Sequence, residues 1–163
     1  MSAIRTNGRP GLALVSPPAP EVMFCSHCGT MPRDGEAISP TRVCAGCGLG
    51  LLLQCAQDAA PKPGDAFLVL DHTLSVCAVS AAAERLLATP EMEAVNVPIG
   101  SLLVPADAEG NGGAGLAAAI IWASRGDGGV SRTVVRPANT FGVRLSARIV
   151  GCGPPRAALL VFE

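Results

Sequence analysis

Two short segments, Cys25-Ser-His-Cys28-Gly29 and Cys44-Ala-Gly-Cys47-Gly48, repeat one pattern with fifteen residues between Cys28 and Cys44. Two cysteines three positions apart on a tight turn can present both thiolates to one point. A second such turn, brought in by a hairpin-length connection, completes a tetrahedral four-sulfur metal site. The glycine after each second cysteine permits the positive φ with which backbone N–H groups turn back toward the sulfurs. One Cys-x-x-Cys alone reads equally well as a redox pair or as buried thiols, but the repetition of the whole pattern favours a bound ion.

The four ligands are therefore Cys25, Cys28, Cys44 and Cys47. Zinc is the usual occupant of closed four-cysteine sites, and iron in a rubredoxin-like site is the alternative with the same ligands. This paired-knuckle segment resembles the zinc-ribbon class. His27 lies inside the first knuckle, but four cysteines already satisfy a tetrahedral ion, so it is expected to be exposed beside the site. Thirty residues bury too little apolar surface to fold alone, and structural zinc contributes roughly 10–16 kcal/mol in such peptides. The metal is expected to supply most of the stability of this module.

Composition narrows the remainder. The chain has 163 residues, 49% of them hydrophobic, yet only 3% are aromatic and tyrosine is absent, so aliphatic side chains must fill the core. This length suits one small module plus one domain of about 100 residues. Twelve basic residues against thirteen acidic ones give a net charge of −1. That balance supplies no general attraction to nucleic acid or to acidic membranes. No apolar run approaches the length of a membrane span. Gly11 to Val15 is too short for a secretion signal and is ended by Pro17, Pro18 and Pro20. Seven cysteines cannot all pair, which fits a reducing cytoplasm. Eleven of the twelve basic residues are arginine, and alanine and glycine abound, as in a GC-rich bacterial genome.

Punctuation by proline and glycine divides the chain into a disordered leader over 1–22, a metal module with its connecting segment over 23–60, a stiff linker over 61–64, and a second domain over 65–163. The module should carry a protruding loop at Thr30 to Thr41 and a strand at Gly48 to Leu53. In the second domain, strands are predicted at Ala66 to Leu70 and Leu74 to Val79. Ser80 then caps a helix over Ala81 to Ala88, and Thr89-Pro90 starts a helical turn over Glu91 to Val95. A turn at Ser101 to Val104 and a loop at Gly110 to Gly113 lead to a helix at Ala114 to Arg125. Strands follow at Val130 to Arg136, Phe141 to Cys152 and Ala157 to Phe162. This order describes an α+β fold, an antiparallel sheet with helices on one face.

Phe67-Leu-Val-Leu-Asp71, Leu74-Ser-Val-Cys-Ala-Val79, Ala81-Ala-Ala-Glu-Arg-Leu-Leu87, Ile99-Gly-Ser-Leu-Leu103 and the three closing strands together resemble a PAS domain, a sensor and interaction module of bacterial signalling. The resemblance covers Asp65 to Glu163, and Ser80 stands where the family commonly has asparagine. It implies a five-stranded sheet with a ligand pocket between its concave face and the helices. On this chain that pocket would draw on Leu68, Val76, Leu86, Leu103, Ile120, Val143 and Leu145, and the plainer reading is that these residues simply pack a core. The cofactors of the family find no support. Haem would want a histidine on or near the 114–125 helix, which has none. A flavin photosensor would want a cysteine in 99–103, and the yellow-protein chromophore a tyrosine.

Arg132 and Arg136 share one face of a strand, as do Arg144 and Arg148 on its expected neighbour. Paired, they would form a basic stripe for an acidic or phosphorylated partner, or else a solvated face that discourages aggregation. Cys55, Cys77 and Cys152 are left over, Cys77 and Cys152 reading as small hydrophobes with a redox-sensor role as the alternative, and about three reactive thiols are expected in the native protein. No catalytic constellation and no phosphate-binding loop is present in the sequence, and the chain is not expected to be an enzyme. The expectation is a bacterial cytoplasmic signalling adaptor, with a protein partner, self-association through the PAS-like domain or a small apolar ligand. The competing classes are a nucleic-acid-binding regulator that uses the ribbon, disfavoured by the neutral loop, and an iron redox protein.

Overall fold

A computed structural model describes residues 20–33, 40–106, 115–127 and 129–163. The expected leader, apart from its last three residues, lies outside these, as do the Gly110 to Gly113 loop and the middle of the Thr30 to Thr41 loop.

One antiparallel sheet runs through the described residues. Strands β1 (Glu21–Cys25) and β2 (Leu52–Ala56) pair with each other, and β2 then pairs with β7 (Leu145–Gly153). Beyond β7 follow β8 (Ala157–Phe162), β3 (Phe67–Leu70) and β4 (Val76–Val79), giving the order β1-β2-β7-β8-β3-β4. On its other side β7 carries β6 (Ser131–Pro137), which pairs with the short β5 (Leu103–Pro105). The cysteine-bearing hairpin is therefore continuous with the sheet of the second half.

The sheet curls. Phe24 of β1 and Phe67 of β3 are not on neighbouring strands, yet their rings meet edge to face with centroids 5.8 Å apart. The curl buries both faces of the central strands, whose sequences read as unbroken apolar runs: Phe67-Leu-Val-Leu70 in β3 and Ala157-Ala-Leu-Leu-Val161 in β8. One core lies on the helix side, around Leu68, Leu103, Ile120, Ile149 and Leu160. The second lies inside the curl, where Phe24, Leu53, Phe67, Val150, Leu159 and Val161 meet.

Three short helices cover the first core: α1 (Ala81–Leu87), α2 (Glu91–Ala94) and α3 (Leu116–Arg125). Ser80 caps α1 as expected and does more. Its Oγ accepts from the N–H groups of Ala83 (3.2 Å) and Phe67 (2.9 Å) and donates to the Asp65 carbonyl (3.1 Å). At 1% exposure this hydroxyl fixes the corner between β3 and α1, and losing it would leave two N–H groups unsatisfied at about 1–3 kcal/mol. α3 ends at Gly126, whose φ of 80° is the left-handed stop that glycine supplies.

Several expected boundaries move. The hairpin begins inside the expected leader, because Glu21 and Val22 pair with Ala56 and Cys55. The strand expected at Gly48 to Leu53 lies four residues later in β2, since Leu51 makes only an isolated bridge to Val43. Leu74 belongs to the turn before β4, with a φ of 69°. Pro90, not Thr89, caps α2, and the Thr89 hydroxyl is occupied by the Leu87 carbonyl at 3.1 Å. The 99–103 segment is a 3-10 turn at Ile99–Ser101 that leads directly into β5. The strand expected from Phe141 begins only at Leu145, so Phe141 and Val143 precede the sheet and are exposed.

Candidate metal centre

Each knuckle is closed by the same turn. The Gly29 N–H donates to the Cys25 carbonyl (3.0 Å) and the Gly48 N–H to the Cys44 carbonyl (2.9 Å). Both glycines adopt positive φ, 71° and 69°, as the sequence pattern requires. The knuckles are then tied to each other. The Ser26 N–H donates to the Leu51 carbonyl (2.8 Å), and the Leu51 N–H donates to the buried Ser26 Oγ (3.0 Å). Behind them, β1 and β2 hold register from Cys25↔Leu52 to Glu21↔Ala56.

The four sulfurs of Cys25, Cys28, Cys44 and Cys47 lie within 4.8 Å of one another. Cys25 and Cys47 are 3.6 Å apart, and Cys28 and Cys44 are 3.9 Å apart. A tetrahedron with metal–sulfur bonds of about 2.3 Å has edges of about 3.8 Å. The donor set thus fits a tetrahedral thiolate-bound ion in both spacing and number. Cys25 and Cys44 are buried, and Cys28 and Cys47 are half-buried.

Backbone amides supply the surrounding polarity. The N–H groups of His27 and Cys28 point to the Cys25 sulfur at 3.4 and 3.5 Å. Burial nonetheless dominates there and pushes the Cys25 thiol up to about 12. At Cys47 burial also opposes ionisation. It is outweighed by the Gly50 and Leu49 amides together with the Cys25 and Cys28 side chains, which bring that thiol down to about 6. Cys47 is thus the thiol brought towards its thiolate, and an ion must displace the proton that burial keeps on Cys25.

Sequence reasoning missed Gly50. A Cβ there would run into the Cys25 sulfur and lie 2.7 Å from the His27 nitrogen, so the second knuckle passes the first with room only for hydrogen. The sole sequence signal for it is the Gly48-Leu-Gly50 spacing.

The site is also docked against the second half. The Ala81 N–H, at the start of α1, donates to the His27 carbonyl (3.2 Å). The His27 ring lies with Nδ1 3.6 Å from Glu91, and its side chain is 18% exposed, so it packs against the helices instead of standing free. Glu91 itself accepts from the Val79 N–H (3.2 Å), while its own N–H donates to Glu84 (2.6 Å).

The other expected sites separate. Leu68, Val76, Leu103 and Ile120 are fully buried in the helix-side core, and Leu145 packs against it half-buried. Leu86 and Val143 are 41% and 38% exposed and face away from that group, because α1 turns Leu86 outward and Val143 precedes β7. Of the four arginines, two meet across the β6–β7 ladder. Arg132 and Arg148 are directly opposite, and both reach Glu163, at 3.8 and 3.2 Å. Arg148 also makes long bonds to the Ala59 and Ala60 carbonyls, which fastens the segment after β2 onto β7. The Arg136 guanidinium lies over the Phe141 ring at 5.3 Å, and Arg144 donates to the Ala106 carbonyl at 3.1 Å.

The expected count of three reactive thiols is corrected by burial. Cys55 and Cys152 are 3% and 8% exposed, and burial pushes both thiols up to about 12, whereas Cys77 is exposed. Ellman's reagent should therefore titrate one thiol rapidly in the metal-loaded protein and seven after denaturant and chelator. Five or more fast thiols in the native protein would contradict closed ligation.

Among known proteins, no family model matches the chain and no curated protein matches it. A solved structure to which it is similar is the PAS domain of nitrogen regulation protein NR(II) from Vibrio parahaemolyticus. The two are 15% identical, the match covers 61% of this chain and 88% of that one, and the TM-score is 0.44. Among the described residues no helix is long and apolar enough to cross a membrane.

Proposed function

We propose that this chain is a bacterial cytoplasmic signalling adaptor in which a structural zinc ion holds a ribbon-like contact module onto a PAS-like sensory or dimerisation domain. One observation carries the reading: the metal hairpin and the second half share a sheet through β2 and β7. A change on either side reaches the other through backbone hydrogen bonds, without a hinge between them.

Supporting the PAS-like assignment, the strands β4-β3-β8-β7-β6 form a five-stranded antiparallel set with α1, α2 and α3 on one face. Supporting a structural ion, four thiolates close the coordination shell and leave no open position for substrate, so the chain is read as a non-enzyme. Leu49 is 72% exposed and Leu51 48% exposed beside the knuckles, with Met31 and Val43 at 37% each. These apolar side chains suit contact with a protein partner better than with a nucleic-acid backbone. The small apolar ligand and self-association belong to the PAS-like half of the same proposal.

Native mass spectrometry of protein purified without added metal tests this directly. One zinc ion per chain in a colourless protein is expected. An iron mass with visible absorbance would replace the adaptor reading by electron transfer. Retention of low-salt DNA or RNA on filters at micromolar protein would replace it by nucleic-acid binding.

A further inference from the structure

The strands that join the two halves carry a pair of cysteines that the metal does not use. Cys55 of β2 and Cys152 of β7 are directly opposite each other in the antiparallel ladder. Opposed residues in such a ladder project from the same face, with Cα atoms about 4.5–5.5 Å apart, inside the span that a disulfide bridges. Both side chains accordingly enter the same apolar cluster inside the curl, and both are free thiols.

Beside them opens a cleft of about 400 Å³, lined by both cysteines and by Glu21, Gln54, Ser124 and Arg156. It brings small polar molecules to two thiols that are otherwise shut from solvent. The ladder the cysteines belong to is short, consisting of Gln54↔Gly153 and Cys55↔Cys152. A covalent bond at this point would fix the junction between the metal hairpin and the rest of the sheet.

We propose that Cys55 and Cys152 are a redox-responsive dithiol that a hydroperoxide converts to a cross-strand disulfide, stapling β2 to β7. Cys152, the more open of the two, reacts first. Its sulfur attacks the O–O bond, giving a sulfenic acid and one molecule of water (or alcohol, from an organic peroxide). The Cys55 sulfur then attacks the sulfenic sulfur. The S–O bond breaks, the S–S bond forms, and the departing hydroxyl leaves as water with the Cys55 proton. The two thiols lose two electrons and the peroxide gains two. Burial keeps both thiols protonated at neutral pH, so the step is slow and spares the pair from casual exchange with soluble thiols.

The test uses the full-length, metal-loaded protein and hydrogen peroxide at a dose that oxidises the exposed Cys77. After quenching, denaturation and alkylation, peptide mapping should recover a linked peptide pair joining Cys55 to Cys152, with the metal content of the same sample unchanged. Cys55→Ala and Cys152→Ala should each abolish that linkage. In the wild-type protein, oxidation before chelation should preserve hydrogen-exchange protection at 54–55 and 152–153, and chelation of the reduced protein should lose it. Alkylated Cys55 and Cys152 after that peroxide dose would overturn the proposal, as would a linkage that joins other cysteines. The wild-type peptide map decides the matter even where a variant fails to fold.

Discussion

Stripping the metal with a strong chelator should unfold residues 21–33 and 40–56 together and loosen the sheet beyond them. The hairpin has little apolar surface of its own, and its buried cluster near the site consists of Cys25, Cys44 and Leu52 with partly buried neighbours. Metal binding supplies roughly 10–16 kcal/mol in comparable four-ligand peptides, so its removal exceeds any stability such a hairpin holds. Loss of β2 also exposes Val150 and Cys152 of β7 on the inside of the curl. The expected result is a lower Tm for the whole protein and loss of amide protection first in β1 and β2, then at the β7 end. Cys44→Ser should reproduce most of this without chelator. Unchanged protection at 21–25 and 52–56 in metal-free protein would show that the hairpin stands without an ion.

Acidification should do the same, and the sign follows from the thiols. In the metal-free protein Cys47 ionises near 6 and Cys25 only near 12, so between these values the metal-free form holds more protons than the metal-bound form. Metal affinity therefore rises with pH through this window and falls as pH drops, most steeply once Cys47 too is protonated. A competition titration at pH 6, 7 and 8 should show progressively tighter binding. A flat profile would contradict thiolate ligation.

Gly50→Ala should disable the site by displacement alone. The added methyl would overlap the Cys25 sulfur and press on the His27 backbone nitrogen at 2.7 Å and on its Cβ at 2.9 Å. Neither can yield without moving a ligand or opening the first knuckle. Loss of a supporting contact costs about 10–100-fold in metal affinity at well-studied sites, and direct displacement of a ligand should cost at least the upper figure. Gly46→Ala is the control in the same loop, because its Cβ would rest 3.6 Å from the Cys44 sulfur, an ordinary contact. Cobalt-substituted protein gives the readout: the tetrahedral thiolate spectrum should persist in Gly46→Ala and be lost in Gly50→Ala. Equal affinities in the two variants would show that the second knuckle has more room than its geometry implies.

The ligands were legible because their constraint is local: two tight turns, each set by a three-residue cysteine spacing and a following glycine. Ser80 and Gly126 were legible for the same reason, since caps and stops are written within a few residues. What sequence could not show was pairing at a distance. Glu21 and Val22 look like the end of a proline-rich leader until Cys55 and Ala56 lie beside them. Arg148 looks like one member of a charged face until the segment after β2 crosses it and Glu163 takes up its charge. Val150 and Cys152 break the simple alternation of β7 because a second core, supplied by the hairpin, lies on what would otherwise be the wet side. The sequence reads as a cysteine module and a sheet joined by a linker, whereas the β2–β7 pairing makes them one object.

That pairing sets an order of assembly. In chain order β7 and β8, the two strands in the middle of the sheet, come after both β2 and β3, so they leave the ribosome later than the strands they join. The hairpin can take its ion before then, but β2 waits with one edge open, and so does β3, until β7 and β8 arrive to fill the gap between them. The nascent chain thus exposes two unpaired edges until β7 and β8 emerge, and their closure is a long-range event of the kind that slows folding and invites association. A newly made chain should accordingly depend on both metal supply and chaperone cover far more than the finished protein does.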